Sequence, residues 1–157
     1  MKRILLFSIL GILCFINTVA SNYLISPNAI IEGSEISHKE MIFTVGINAF
    51  HDFKSFLASN VEANSKVYVA SGTYSEDITI STDGLSVIGN NAFVDWSETR
   101  KEESVITGTI FVKSSNVIIN GFKFTGNGRI ESTAGTNESP LSGIKVLYNY
   151  FIESTVK

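Results

Sequence analysis

The chain has 157 residues, with 12 Lys and Arg against 15 Asp and Glu, a formal net charge of −3, 44% hydrophobic residues and two prolines. That length holds one domain or part of a larger one, with apolar surface enough for a core, and the composition excludes disordered and collagen-like chains. A mildly acidic chain without a run of Lys or Arg lacks the electrostatic footprint of a nucleic-acid binder, so no nucleic-acid partner is expected.

Lys2 and Arg3 precede an apolar run from Ile4 to Ile16, interrupted by Ser8 and Gly11, and Thr18-Val19-Ala20 places small residues ahead of Ser21. This is the pattern of a secretory signal peptide over residues 1–20, too short to span a bilayer comfortably. Later apolar stretches, Tyr23-Leu24-Ile25 and Ala29-Ile30-Ile31, are broken by polar residues and Pro27, so no stable membrane span is expected after cleavage. Cys14, the single cysteine, lies inside the leader, and Leu13 before it disfavours lipidation. Removal of the leader leaves a cysteine-free chain of formal charge −5. Such a chain is held by its core alone and suits a bacterial envelope, periplasmic, cell-surface or secreted setting.

Residues 21–60 form an N-terminal segment. Ile47, Phe50, Phe53, Phe56 and Leu57 fall at helical spacing and predict one amphipathic helix from Gly46 to Ser59, preceded by the strand-like Met41 to Val45. Residues 61–157 read as repeats. Asp83 to Asn90, Ser115 to Phe122 and Ser142 to Asn149 superpose when Leu85, Val117 and Ile144 are aligned, in steps of 32 and 27 residues. Ile78-Thr79-Ile80 matches Ile110-Phe111-Val112, again 32 residues apart. Short β-branched runs followed by Gly, Asn or Ser read as strand then turn, and steps of about thirty residues signal stacked units. The runs 66–70, 78–80, 85–88, 105–112, 117–124 and 144–152 supply two to three strands per step. The expected fold is all-β, a parallel β-solenoid whose first coil is closed by the helix. An antiparallel sandwich or barrel is the rival, with Asp83-Gly84, Asn120-Gly121 and Asn127-Gly128 as its hairpin turns. Asn120-Gly121 falls within the repeated unit, where it reads as a coil corner.

Val67-Tyr-Val-Ala-Ser-Gly72-Thr-Tyr74-Ser-Glu76, followed by Ile78 to Ile80, Gly84 to Gly89, Ser104 to Gly108 and Asn116 to Phe124, resembles the opening coils of right-handed parallel β-helix proteins of the pectin lyase-like superfamily. The likeness covers residues 41 to 152, and Gly72-x-Tyr74-x-Glu76 is similar to a signature of pectin methylesterases. The motif also occurs in β-helices that are not esterases, and its residues read structurally. Gly72 permits a turn, Tyr74 buries its ring while its hydroxyl finds a partner, and Glu76 anchors backbone donors.

The resemblance to pectin methylesterases would imply an aspartate pair, an arginine and glutamines on later coils. The chain has no Gln, and its aspartates are Asp52, Asp77, Asp83 and Asp95. Resemblance to pectate lyases would imply calcium among clustered acidic residues, and to polygalacturonases clustered aspartates. The only adjacent acidic pairs are Glu76-Asp77 and Glu102-Glu103, the latter read as part of a solvated loop. His38 and His51 have no cysteine or histidine at metal-ligand spacing. No catalytic residue, metal or cofactor is assigned.

Two polar segments, Asn90 to Glu103 and Gly126 to Ser142, are expected to leave neighbouring corners and wall a groove. The first carries Asp95, Trp96 and Arg100, the second Arg129, Glu131 and Asn137. An aromatic ring beside hydrogen-bonding groups suits a polysaccharide ligand, whereas packing of Trp96 on the coil wall is the structural alternative. Ser142 to Ile152 is a further coil without a capping pattern, so edge-to-edge self-association, or a longer solenoid of which this is the leading part, is expected. The sequence thus describes a non-catalytic polysaccharide-binding or structural protein. The alternative is the N-terminal part of a polysaccharide-active enzyme of pectin methylesterase or lyase type.

Overall fold

A computed structural model describes residues 20–95, 97–132 and 140–152. The segment expected as a signal peptide, residues 1–20, lies outside the described residues apart from Ala20, as do Trp96 and Asn137.

The described chain is all-β with one short helix. Strands β1 (Asn22–Ile25), β2 (Glu35–His38), β3 (Met41–Thr44) and β4 (Ala49–Phe50) precede helix α1 (Phe53–Ala58). Then come β5 (Lys66–Val69), β6 (Gly72–Tyr74), β7 (Ile78–Ile80), β8 (Ser86–Ile88), β9 (Ser104–Ile106) and β10 (Thr109–Val112). The last are β11 (Ile118–Asn120), β12 (Lys123–Thr125), β13 (Arg129–Ser132), β14 (Lys145–Leu147) and β15 (Tyr150–Ile152).

Three parallel sheets take these strands in turn. The first has the order β14-β11-β8-β5-β1-β4, the second β15-β12-β9-β6 and the third β13-β10-β7. From β5 onward each circuit visits the first, second and third sheet before returning to the first. The antiparallel rival is thereby excluded for these strands; β2 and β3 alone pair antiparallel among the described residues. The register matches the sequence repeats: Ser86 pairs with Ile118 and Ile118 with Lys145, the offsets of 32 and 27 residues. Ile110 likewise pairs with Ile78.

In-register pairing stacks like on like. Val67, Val87 and Ile119 form one buried column, Ile78 and Ile110 a second with Ile130 packed at its end, and Tyr74, Ile106 and Phe124 a third. Phe124 stacks on Phe151 with ring centroids 4.7 Å apart. Each fully buried side chain of this size contributes about 1.5–3 kcal/mol, so the interior of the three sheets is the main source of stability.

The corner leading into the first sheet has its own column. Asn64, Gly84, Asn116 and Gly143 stand at equivalent positions and all have left-handed backbone, with φ of 62°, 70°, 59° and 69°. Asn and Gly tolerate that conformation better than other residues. Asn64 and Gly84 donate their backbone N–H to the carbonyls of Asp83 and Ser115, each at 3.0 Å. Side chains extend the ladder: Asp83 Oδ1 accepts from Ser115 N at 2.9 Å, and Ser115 Oγ from Ser142 N at 3.1 Å. A Cβ on Gly84 would lie 2.2 Å from Asn64 Oδ1.

The helix predicted over Gly46 to Ser59 is shorter in the structure. Leu24 and Ser26 donate to the carbonyls of Asn48 and Phe50 at 2.8 and 2.9 Å, drawing Ala49–Phe50 into the first sheet. Ile47 is left exposed in the preceding turn. Asp52 then starts the helix as N-cap, its Oδ1 accepting from Ser55 N at 2.7 Å. The phenylalanines behind the helical pattern, Phe50, Phe53 and Phe56, are all buried at this end of the core. The expected polar segment Gly126 to Ser142 is also interrupted, because Arg129–Ser132 pairs with β10 as a strand. Its backbone continues the third sheet, with Ile130 packed on the column beneath.

The β2–β3 hairpin was not expected from the sequence. Its tip residues Lys39 and Glu40 have φ of 47° and 66°, a left-handed pair without the usual Asn or Gly. The hairpin covers the outer face of the first sheet, where Phe43, Val45, Leu24 and Ala49 form a second core against Tyr68. His38 faces Tyr68 with ring centroids 6.3 Å apart, and its Nε2 is buried without a hydrogen-bond partner.

Two measurements test this arrangement. In urea unfolding, Gly126→Ala, where φ is +59° and no neighbour lies within 4 Å, carries only the left-handed backbone cost of about 1 kcal/mol. Gly84→Ala adds the clash with Asn64 and is expected to cost about 2–3 kcal/mol; equal losses would refute the stacked corner. Burial, reinforced by Lys39, holds the pKa of His38 below its ordinary value. The unfolded chain therefore takes up this proton first, and the hairpin is progressively destabilised as pH falls from about 6.5 towards the lower folded-state value. Protection factors of the β2 and β3 amides, intrinsic exchange rates divided by the observed ones at each pH, should fall over that range in the wild type and stay flat in His38→Phe.

Candidate functional site

The first and second sheets meet at a corner that Gly121-Phe122 turns in two residues between β11 and β12. One circuit earlier the same corner carries residues 89–103 between β8 and β9. Described residues of this loop bond to the later corners. Asn91 donates its backbone N–H to the carbonyl of Gly121 at 3.3 Å. A Cβ on Gly121 would sit 2.1 Å from Ala92 N, so the loop needs glycine there.

Buried Asn91 ties the loop's ends together. Its Nδ2 donates to the Glu102 carbonyl at 3.1 Å and to Glu103 Oε2 at 2.9 Å, while its Oδ1 accepts from Lys101 N at 3.0 Å. Arg100 clamps the loop to the sheets. Nε and Nη2 donate to the two Glu103 oxygens at 2.8 and 3.0 Å, Nη2 also to Phe122 O at 3.2 Å, and Nη1 to Tyr148 O at 2.9 Å. Both side chains of the pair are only 18% exposed. A planar fork meeting a carboxylate on two oxygens is the strong form of ion pair. Arg100, expected as a ligand-binding cation, is therefore committed to the fold, and Glu103, expected as solvated, is its counter-ion.

Between this loop and the β14–β15 turn lies a cleft of about 470 Å³, lined by Val94, Asp95, Arg100, Tyr148, Asn149 and Tyr150. Asn149 is held internally: its Oδ1 accepts from Phe122 N and its Nδ2 donates to Ile119 O, each at 2.9 Å. Asp95 is exposed and accepts at Oδ1 from Ser97 N at 3.0 Å and from the Ser97 hydroxyl at 2.8 Å. The Ser97 N–H first, then its hydroxyl, keep the Asp95 carboxyl below the ordinary carboxylate range. Among the described residues, no hydrogen bond engages the hydroxyls of Tyr148 and Tyr150.

Two aromatic residues that line the cleft, and Phe93 against one of them, are exposed to solvent. Phe93 is 70% exposed, Tyr150 50% and Tyr148 47%. The Phe93 and Tyr148 rings are 6.0 Å apart at 58°, and both residues have left-handed backbone, with φ of 68° and 52°. A bulky residue in that region is strained by about 1–2 kcal/mol. Such strain persists where the surroundings over-determine it, and it concentrates at ligand clamps. The sequence carried a signal for Tyr148: in the repeat alignment it occupies the slot of Gly89 and Gly121, where an aromatic has no conformational reason to be. Phe93, Tyr150 and Asn91 gave no comparable signal.

The described residues of the two segments are not brought together. Arg129 and Glu131 lie two apart on β13, on one side of the third sheet, and pair with each other. Residues 89–103 leave the corner between the first and second sheets, whereas β13 lies a full sheet further along the circuit. The corners are different, so Asp95 and Arg100 are not brought together with Arg129 and Glu131. Gly72, Tyr74 and Glu76 form a separate unit at the helix end. Gly72 has φ of 153° and faces Pro27, Tyr74 donates its hydroxyl to Ala70 O at 3.0 Å, and Glu76 Oε1 accepts from Phe53 N at 2.8 Å. Burial, and then the Glu76 carboxylate, push the Tyr74 phenol well above its ordinary pKa. The motif ties α1 to the core, with the Phe53 and Tyr74 rings edge to face at 5.5 Å.

Among the described residues no group of three His, Cys, Asp or Glu side chains is placed to hold a metal, and no helix is long and apolar enough to cross a membrane. A larger concavity of about 640 Å³ beside Ser21, Tyr23, Met41 and Asn48 has no charged side chain among its described lining.

The clamp and the strained rim respond oppositely to mutation. Arg100→Met leaves Glu103 without its partner and is expected to cost about 2–4 kcal/mol in urea unfolding. Tyr148→Gly relieves the left-handed strain, so stability is unchanged or rises by about 1 kcal/mol; a large loss would show that Tyr148 serves the fold. Comparisons with protein-family models, curated proteins and solved structures found no match, so the reading of this site rests on its geometry.

Proposed function

We propose that the chain is a right-handed parallel β-helix of the pectin lyase-like kind, secreted or displayed at a cell surface, that binds polysaccharide without transforming it. The circuit through three parallel sheets supports the β-helix, and the right-handed preference of crossovers between parallel strands supports the hand. The polysaccharide reading rests on one observation: exposed Tyr148 and Tyr150 line a cleft, with exposed Phe93 packed against Tyr148, and Phe93 and Tyr148 have strained backbone. Sugar rings present apolar C–H faces rimmed by hydroxyls, which such rings and free phenol groups match.

Asp95 is the only carboxylate among the described lining residues, and paired-carboxylate hydrolysis needs two across the scissile bond. The cleft therefore favours binding over the enzyme-fragment alternative. A second association mode has its own support. Val146 and Leu147 on β14 are 45% and 39% exposed, and β14 and β15 are paired on one side only among the described residues. Edge-to-edge pairing of copies would cover them; light scattering across protein concentration should show a mass above the monomer.

The test is titration of the purified protein against a panel of soluble polysaccharides by calorimetry, alongside Tyr148→Gly and Tyr150→Ala. Saturable binding weakened about tenfold or more in folded variants is the expected outcome. A folded wild-type protein that binds no member of the panel would overturn the reading.

A further inference from the structure

We infer that the cleft is built for neutral glycans and discriminates against uronate-bearing ones; this rests on the polysaccharide reading above. The argument is one of charge. Arg100 is the only cationic side chain among the described lining residues, and its fork is closed on both oxygens of Glu103 and on the Tyr148 and Phe122 carbonyls. A ligand carboxylate would have to compete with Glu103 for a guanidinium already held in bidentate geometry, leaving Glu103 unpaired in a mostly buried position.

The charge that remains is negative. Asp95 is exposed, and only its Oδ1 is engaged among the described residues, by Ser97. Its second oxygen is a charge-assisted acceptor for sugar hydroxyls and a repulsive neighbour for a uronate. The net charge of −3 adds a repulsive field for a polyanion. Lys123 sits beside Tyr150 in the strand register but does not line the cleft. The rest of the described rim, Val94 with the Tyr148 and Tyr150 rings and the internally bonded Asn149 amide, carries no charge, which suits an uncharged sugar.

The experiment titrates the full protein with a soluble neutral β-glucan, a neutral xylan and polygalacturonate, each in low and in 0.5 M salt (roughly a 4 Å Debye length). The expected result is binding of a neutral polymer with affinity unchanged by salt, and polygalacturonate at least tenfold weaker. Asp95→Asn should weaken the neutral ligand about threefold to tenfold, and Asp95→Lys should create salt-sensitive affinity for polygalacturonate. Polygalacturonate bound as tightly as the neutral polymers overturns the charge argument while leaving the polysaccharide reading intact. So does polygalacturonate binding abolished by Lys123→Met, which would place the ligand on the sheet face instead. Failure of all three polymers to bind overturns the underlying reading as well.

Discussion

Everything in this protein depends on one constraint: each circuit must return to the first sheet in register with the circuit before it. Parallel strands align like with like, so valine meets valine and isoleucine meets isoleucine down the interior. The return is enforced at the corner before the first sheet, where Asn64, Gly84, Asn116 and Gly143 all adopt left-handed backbone. Alternation there has a steric meaning, because the Asn64 amide occupies the space above Gly84 and the Asn116 amide that above Gly143. Two side-chain-bearing residues in sequence would collide, and two glycines would leave the backbone looser.

A regular stack of this kind offers little surface chemistry of its own except where the chain departs from it. The departure is residues 89–103, inserted at a corner that the next circuit makes in two residues. Such a loop would be mobile were it not fastened at several points. Asn91 closes its ends, and the Arg100–Glu103 pair fixes it across the corners of the two later circuits. Arg100, nominated for binding from the sequence, is thus absorbed in fastening the loop. The exposed surface beside it is formed by aromatic side chains, two of them, Phe93 and Tyr148, held in conformations that cost free energy.

The other departure lies at the opposite end of the stack. There Glu76 meets the first N–H of α1, and Tyr74 packs against Phe53. A helix of six residues has little stability in isolation. It persists because Asp52 caps it, Glu76 anchors it and Phe53 and Phe56 enter the core. The Gly72-x-Tyr74-x-Glu76 motif thereby joins the start of the stack to its cap, which is a structural role independent of any activity.

Much of the fold was legible because it is repetitive. The alignment of Leu85, Val117 and Ile144 is the register of the first sheet, since side-chain alternation and in-register pairing both leave their period in the sequence. Local exceptions were less legible. The phenylalanines before and in α1 have helical spacing, yet pairing with β1 took Ala49 and Phe50 into a sheet, a competition that no local pattern reveals. The β2–β3 hairpin turns on Lys39-Glu40 rather than Asn-Gly, so its signal was absent. By itself, then, the sequence determined the strand periodicity, the apolar columns and the odd aromatic at position 148. Only the tertiary structure decided which corner each loop leaves and which charges are consumed by pairing, because both depend on residues tens of positions apart that meet solely through the stacking of circuits.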